Sequence, residues 1–550
     1  MIHAIIYQTM DARRLRSLLK SLTAPAAVIL AVSLVLIMFN LVLVYHNRSY
    51  NSDDVSWQNI LLTWRPFSGH KAFLGGSDNF IIKAPLFALF GHFFAPSRRL
   101  LLLESGVFAS AAFMLFYGSS LYFLKKLKVR LTYVNLLPFL WFASFGFFTA
   151  RLYLNPILRN FELGLAFVAF VLAAKIYYGE INVWGSLLAK VTTLLSCAIA
   201  GLLIYNDPYF LYFTLVPVVV LFILLYVLKK LERAKLLALL GIAVASLLFS
   251  KLIAHLAIKA GVVLLFKEPA KFVSFDALSS NVTLAAQGTL NLFGANFFGQ
   301  LAASLVAVSA LLNFGILAFI FYRIWILKRA GWSAKGELSP YLLWSGFFGC
   351  LSLFVLAVYT FSSLAVDIGT YRYLIMMAFS SVLFLAIVIS SLKKGRLVLA
   401  GVITAAILFN LAAAINGSRS SLGDQAGALI NKPNSLNFQI IDALGAKGLT
   451  KGYAPYWDGN INSYLSGGHI AFLPISCFEG QKTEIIQFLI DQSQVSRPAS
   501  RSFYVIDPDL SSPATCTQQQ VVAQFGQPAE KFKLSDKTIW LYNYDIVSKM

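Results

Sequence analysis

Apolar runs of about twenty residues recur along the chain from Pro25 to about Asn416, after which short apolar stretches alternate with polar, helix-periodic ones. A run of that length crosses a hydrocarbon core of about 30 Å as a helix. The first region therefore predicts about eleven transmembrane helices, near residues 24–45, 100–124, 131–150, 160–178, 187–206, 208–228, 235–257, 300–327, 341–361, 372–392 and 398–416. From Gly417 to Met550 the stretches Asn437 to Lys447, His469 to Ile475, Lys482 to Gln492, Ser502 to Ile506 and Thr538 to Tyr542 predict a small α/β domain. The expected fold is a polytopic α-helical membrane domain, 1–416, followed by an extracytoplasmic α/β domain, 417–550. The long first loop, 46–99, mixes Trp57, Trp64, Arg65 and Pro66 with apolar residues, a pattern that predicts helices lying in the membrane interface.

Charge gives the bundle an orientation. Basic residues collect before the first run (Arg13, Arg14, Arg16, Lys20) and after the second (Lys125, Lys126, Lys128, Arg130), the sixth (Lys229, Lys230, Arg233, Lys235), the eighth (Lys328, Arg329, Lys335) and the tenth (Lys393, Lys394, Arg396). Lys and Arg in short loops are retained on the cytoplasmic side. The N-terminus is thus expected inside and the C-terminal domain outside. The first run lacks a small-residue cleavage site and reads as a retained anchor. With 58% hydrophobic and 13% charged residues, the net charge of +21 is spread over loops and not gathered on one aromatic-rich face, which argues against a nucleic-acid partner.

This orientation brings scattered polar residues to the outer ends of the spans. Asp53-Asp54 follows the first span, where a carboxylate can deprotonate an acceptor hydroxyl; a solvated acidic loop is the alternative. Lys83, beside Pro85 at the start of a short apolar segment, reads either as a phosphate-holding cation or as a snorkelling helix-end lysine. Arg372, in Tyr371-Arg372-Tyr373-Leu374, stands on the outer side against the usual bias, and its guanidinium suits a phosphodiester clamp. Asp207-Pro208 is either a turn starter or a group that orients the acceptor or binds a cation; Glu268 or Asp367 would be needed to complete an oxygen-ligand site for a divalent cation. Arg151, Arg159 and Glu162 either pair with one another or contact sugar or phosphate.

An acidic pair after the first span, a long amphipathic first outer loop, Lys83-Ala84-Pro85-Leu86 and the later Arg372-Tyr373 together resemble the GT-C fold of integral-membrane glycosyltransferases, nearest the protein O-mannosyltransferase and aminoarabinose lipid A transferase group. The resemblance spans roughly residues 24–416. It implies a sugar donor on a polyprenyl phosphate, an inverting displacement, and a glycan, lipid or protein acceptor at the outer face of a bacterial inner membrane. It also implies Asp53 as base with Asp54 in support, and Lys83 and Arg372 on the phosphate. Here Asp-Asp replaces the commoner Asp-Glu and Lys-Ala-Pro replaces Lys-Pro-Pro, which leaves the subfamily and the sugar open. A transporter or flippase of lipid-linked sugars, or a non-enzymatic membrane protein with an outer binding domain, are the competing classes.

Beyond the spans, Gly452-Tyr453-Ala454-Pro455-Tyr456-Trp457-Asp458 offers aromatic faces either for a sugar or for the domain core. Cys477 and Cys516, both in the outer domain, are expected to form a disulfide, whereas Cys197 and Cys350 read as core residues within spans. No Cys or His spacing suggests zinc. Asn47, Asn281 and Asn416 each begin an Asn-x-Ser/Thr triplet.

Overall fold

The computed structural model describes residues 23–46, 52–75, 81–144, 159–181, 183, 185–265, 270–331, 339–392, 394–424, 435–477, 484–486, 489–507 and 516–546. Ten of its helices are long and apolar enough to cross a membrane. In chain order the helices of the bundle and its loops are α1 (Ala24–His46), α2 (Ser56–Thr63), α3 (Ala84–Phe93), α4 (Arg98–Lys126), α5 (Tyr133–Ala143), α6 (Asn160–Tyr177), α7 (Leu187–Asn206), α8 (Pro208–Val227), α9 (Arg233–Lys259), α10 (Phe275–Leu292), α11 (Leu305–Gly331), α12 (Pro340–Phe361), α13 (Ile375–Ser391) and α14 (Arg396–Asp424). The span expected at 131–150 is described only as the 11-residue α5, because 145–150 lie outside the described residues.

Helix α13 is the axis of the bundle. Every residue from Ile375 to Ile389 is buried, as expected of a helix that is apolar on all sides and therefore interior. Around it Phe116, Phe142 and Phe167 meet Phe379 with ring centroids 4.8, 4.9 and 6.0 Å apart, in edge-on or tilted contacts of the kind aromatic rings prefer. The helix entries follow local rules: Ser97, Ser186 and Ser339 each accept a backbone N–H three residues on.

The loops separate by charge into two ends. At one, Lys126 pairs with Glu180, Arg396 donates to Thr132 at 3.0 Å and Trp344 donates to the Tyr178 hydroxyl at 2.9 Å, so basic loops distant in sequence converge. At the other, β1 (Ala72–Gly75) pairs in parallel with β2 (Val262–Leu265) and antiparallel with β6 (Ile490–Asp491). A bridge between Phe272 and Ser362 joins two further loops at this end.

The C-terminal domain is a six-stranded sheet in the order β5-β4-β3-β7-β9-β8, with β3 (Lys451–Pro455), β4 (Ala471–Ser476), β5 (Glu484–Ile485), β7 (Ser502–Ile506), β8 (Glu530–Leu534) and β9 (Lys537–Tyr542). Strands β4, β3 and β7 are mutually parallel; β5, β8 and β9 pair antiparallel. Alternation sets its two faces: Tyr453, Leu473, Tyr504 and Trp540 pack on one side with Phe525, and Ala454, Phe472, Phe503 and Ile539 on the other with Ile440 and Leu444. Helices α15 (Ser435–Ala446), α16 (Tyr456–Leu465), α17 (Gln492–Ser496) and α18 (Gln518–Phe525) complete the layers. Gly452 is required where it stands, since a Cβ there would lie 2.4 Å from the Phe503 ring. The expected Cys477–Cys516 disulfide is formed.

Several expectations change. Helix α2 buries Trp57 and Ile60, and Trp64 just after it is buried too; Asn59 of the helix bonds to Asn460 of the C-terminal domain. Helix α3, which exposes Leu89 and Phe93, keeps the amphipathic character expected of the loop. Cys197 is buried as expected, but Cys350 is exposed on α12. Asn281 is buried, and its amide donates to the carbonyls of Thr360 and Ser362, both at 2.9 Å, so it is a structural residue and not an open modification site. Asn47 lies outside the described residues.

Candidate functional site: a buried charge tetrad

Four segments meet at the sheet-bearing end of the bundle. Residues Ile81–Lys83 form a 3-10 turn that leads into α3, whose Pro85 occupies the first turn. Arg159 immediately precedes α6, with Glu162 in that helix's first turn, where the helix dipole favours an anion. Asp207 links α7 to α8 and accepts the Tyr209 N–H at 2.9 Å, while Pro208 opens the next helix. A 3-10 segment, Ile368–Leu374, carries Tyr371, Arg372 and Tyr373.

These segments assemble two crossed ion pairs. Lys83, with no exposed surface, places Nζ 3.1 Å from Glu162 Oε2, 3.4 Å from Asn160 Oδ1 and 5.5 Å from the centre of the Phe108 ring. Arg159 binds Asp207 through Nε, both side chains being 4% exposed. Asn206 joins the pairs: its Oδ1 accepts the Ile82 N–H at 3.0 Å and its Nδ2 donates to Glu162 Oε1 at 3.3 Å. The sum of charge over the tetrad is zero, which is what makes its burial tolerable. Burial pulls the Lys83 ammonium below its ordinary value, and Glu162 opposes that shift.

Arg159 and Glu162 thus do not pair with one another, one of the two expectations; each takes a partner from a different loop. Asp207 is a helix-opening turn residue and an ion-pair member at once. Tyr373 extends the site: its ring lies 4.9 Å from the Arg159 guanidinium and 5.5 Å from that of Arg372, and its carbonyl accepts the Tyr209 hydroxyl at 2.9 Å. Arg372 is half-buried, with Nε enclosed and without a hydrogen-bond partner. Gly288 of α10 allows this approach, since a Cβ there would meet Tyr371 Cβ at 2.8 Å.

A small cleft borders the tetrad, lined by Arg159, Glu162, Asp207 and Tyr209 together with Leu163, Ala166, Phe210 and Thr214. Its last three aromatic and hydroxyl residues sit at the start of α8, where Leu211–Leu215 form a π-helical turn; such turns often mark functional positions.

The acidic pair lies on a separate turn. Asp53 and Asp54 belong to the 3-10 turn Ser52–Val55, although their side chains lie outside the described residues. The turn is held at both ends. Ser52 Oγ accepts the Asn460 N–H at 3.0 Å, and Gln58, on the following helix, donates to Glu104 of α4 at 2.8 Å. Asn59 donates to Asn460 Oδ1 at 3.1 Å, and Thr63 to Asp491 at 2.7 Å.

The cation-site expectation finds no support. Asp207 is engaged by Arg159, Asp367 caps the Ile368–Leu374 segment through the Thr370 N–H at 3.1 Å, and Glu268 lies outside the described residues, as does Arg151. Among the described residues no group of three or more His, Cys, Asp or Glu is arranged to hold a metal ion. Sequence reasoning missed Glu104, Gln58, Asn160, Asn206 and Tyr209. Glu104 carried a usable signal, being a carboxylate inside a membrane-length apolar run; the amides carried none. Comparison with protein-family models, curated proteins and solved structures returns no match.

Proposed function

We propose that the chain is a membrane-embedded glycosyltransferase that moves a sugar from a polyprenyl phosphate to a hydroxyl acceptor, with its site at the outer face of a bacterial plasma membrane. The observation that carries this reading is the buried tetrad with Arg372 stacked beside it, at the same end of the bundle as the Asp53-Asp54 turn. A lipid phosphate is already a good leaving group, so the chemistry asks for a base, cations for the departing phosphate, and positioning.

In the proposed reaction the acceptor oxygen attacks the anomeric carbon from the side opposite the phosphate, its proton passes to the Asp53 carboxylate with Asp54 in support, and the bond to the phosphate oxygen breaks to release polyprenyl phosphate with inversion. Arg372 takes that phosphate in this proposal, a role supported by the unpartnered donor its guanidinium retains. Lys83 and Arg159, each already held by a carboxylate, act as the fixed electrostatic floor, and Arg159 keeps Tyr209 and Tyr373 in place.

The test is release of label from a panel of radiolabelled polyprenyl-phosphate sugars by the protein in lipid. Turnover that disappears in the Asp53→Asn/Asp54→Asn double variant, with folding retained, supports transfer. Equal turnover by the variant removes the acidic pair from the mechanism. Movement of intact donor across the bilayer without cleavage would favour a transporter of lipid-linked sugars instead.

A further inference from the structure

The C-terminal domain carries one feature that its own packing does not use. Tyr453 is fully buried in the sheet core, but Trp457, four residues later, is 49% exposed on the first turn of α16. Its ring stands edge-on to Tyr456, with centroids 5.1 Å apart. Beside it, Asp458 pairs with Lys537, which also reaches Asp507 at 3.1 Å. These residues share one place in the fold. Asp458 follows β3, Asp507 follows β7 directly and Lys537 opens β9.

Strands β3 and β7 are adjacent and parallel, and the chain leaves β3 for β4 on one side while β7 lies on the other. That is the arrangement at which open α/β sheets form a crevice outside the carboxyl ends of their strands, and where they bind ligands. The helix that bears Trp457 also reaches the acidic turn. Asn460, whose N–H is bonded to Ser52 Oγ, lies three residues beyond Trp457 on the same helix, a rise of about 4.5 Å.

We infer that this crevice is a carbohydrate subsite that holds the sugar of a glycan acceptor on the Trp457 ring, next to the Asp53-Asp54 turn. The inference rests on the transferase reading and names its acceptor class. A pyranose presents an apolar face of C–H groups, suited to an indole, and a rim of hydroxyls. Those hydroxyls donate to carboxylates such as Asp458 and Asp507 and accept from an ammonium such as Lys537. Two carboxylates against one ammonium disfavour an anionic ligand, and the polar surround disfavours a purely apolar one.

The experiment uses the full chain in nanodiscs and a panel of methyl glycosides of neutral hexoses and N-acetylhexosamines, read by saturation-transfer NMR. Saturable binding by the wild type, weakened about tenfold or more in Trp457→Ala and within threefold of wild type in Trp457→Phe, is the expected result; tenfold corresponds to about 1.4 kcal/mol, the scale of one aromatic contact. Trp457 is exposed, so both variants are expected to fold, which their melting profiles check. In the transfer assay, Trp457→Ala should raise the acceptor KM about tenfold and leave donor KM unchanged. Absence of saturable glycoside binding, or equal binding by Trp457→Ala, overturns the subsite. If Trp457-dependent binding persists while no donor is turned over, transfer fails and the subsite stands; if transfer proceeds with an unchanged acceptor KM in Trp457→Ala, the reverse holds.

Discussion

Glu162→Leu would leave the Lys83 ammonium fully buried without the carboxylate now 3.1 Å away. At that separation and an effective dielectric near 20, the attraction lost is about 5 kcal/mol. Measured losses on breaking buried pairs fall at about 3–5 kcal/mol, because the remaining charge stays desolvated. Lys83→Met should cost a similar amount, eased where Asn206 continues to donate to Glu162. The double variant Lys83→Met/Glu162→Leu removes both charges and should recover most of the loss, since well-packed apolar replacements of buried pairs are often neutral or stabilising. With single costs of about 3–5 kcal/mol and about 1 kcal/mol left in the double variant, denaturant unfolding of the reconstituted protein, followed by tryptophan fluorescence, would read a coupling energy of about 5–9 kcal/mol across the cycle. Donor turnover measured in parallel should stay low in the double variant even though stability returns. Additive single costs, with coupling below about 0.5 kcal/mol, would refute the account of a desolvated pair. A double variant that is both stable and active would show that the tetrad is only scaffold.

Two further outcomes follow from the C-terminal domain. Burial pulls Lys537 down, but Asp458 and Asp507 outweigh it and hold the ammonium above its ordinary value of 10.5. Its contribution to stability is therefore fully present below about pH 10.5 and lost as pH rises through the higher folded value. The stability advantage of wild type over Lys537→Met should be constant from neutral pH to about 10 and shrink above that, as read from unfolding midpoints; an advantage that grows above pH 10.5 would contradict the assignment. Asn460→Ala removes the Asn59 partner and the donor to the Leu489 carbonyl at 3.1 Å, which should cost about 1–3 kcal/mol and speed amide exchange in the Ser52–Val55 turn. Unchanged exchange there would mean that the Asn460 side chain does not hold the turn, leaving its backbone bond to Ser52 Oγ as the tie.

The apolar periodicity made most of the bundle legible, because a membrane-length helix writes its length directly into composition. Helix α10 went unseen. Its mixed face, Asp276 to Leu292, is too polar for a span, and its position depends on Gly288 meeting Tyr371, a contact between residues far apart in sequence. The candidate site was half legible. Lys83, Asp207 and Arg372 stood out as charges at apolar boundaries, and their gathering at one end followed from the loop charges. Partner choice did not, since Arg159 and Glu162 are three residues apart yet pair across loops with Asp207 and Lys83. In the C-terminal domain the residues between Gly452 and Asp458 look alike on paper; β3 is covered on both faces and so buries Tyr453, whereas Trp457 falls after the strand has ended.

The small sheet of β1, β2 and β6 also bears on how the protein is made. Thr63 and Asp491, joined across that sheet's edge, are 428 positions apart in the chain. At about 5–20 residues per second, a ribosome that has finished the first loop needs roughly 20–90 s to produce its partner. During that interval the first loop exists without the surface that clamps it. The contacts that fix the acidic turn are therefore made late, after the helices of the bundle have been synthesised.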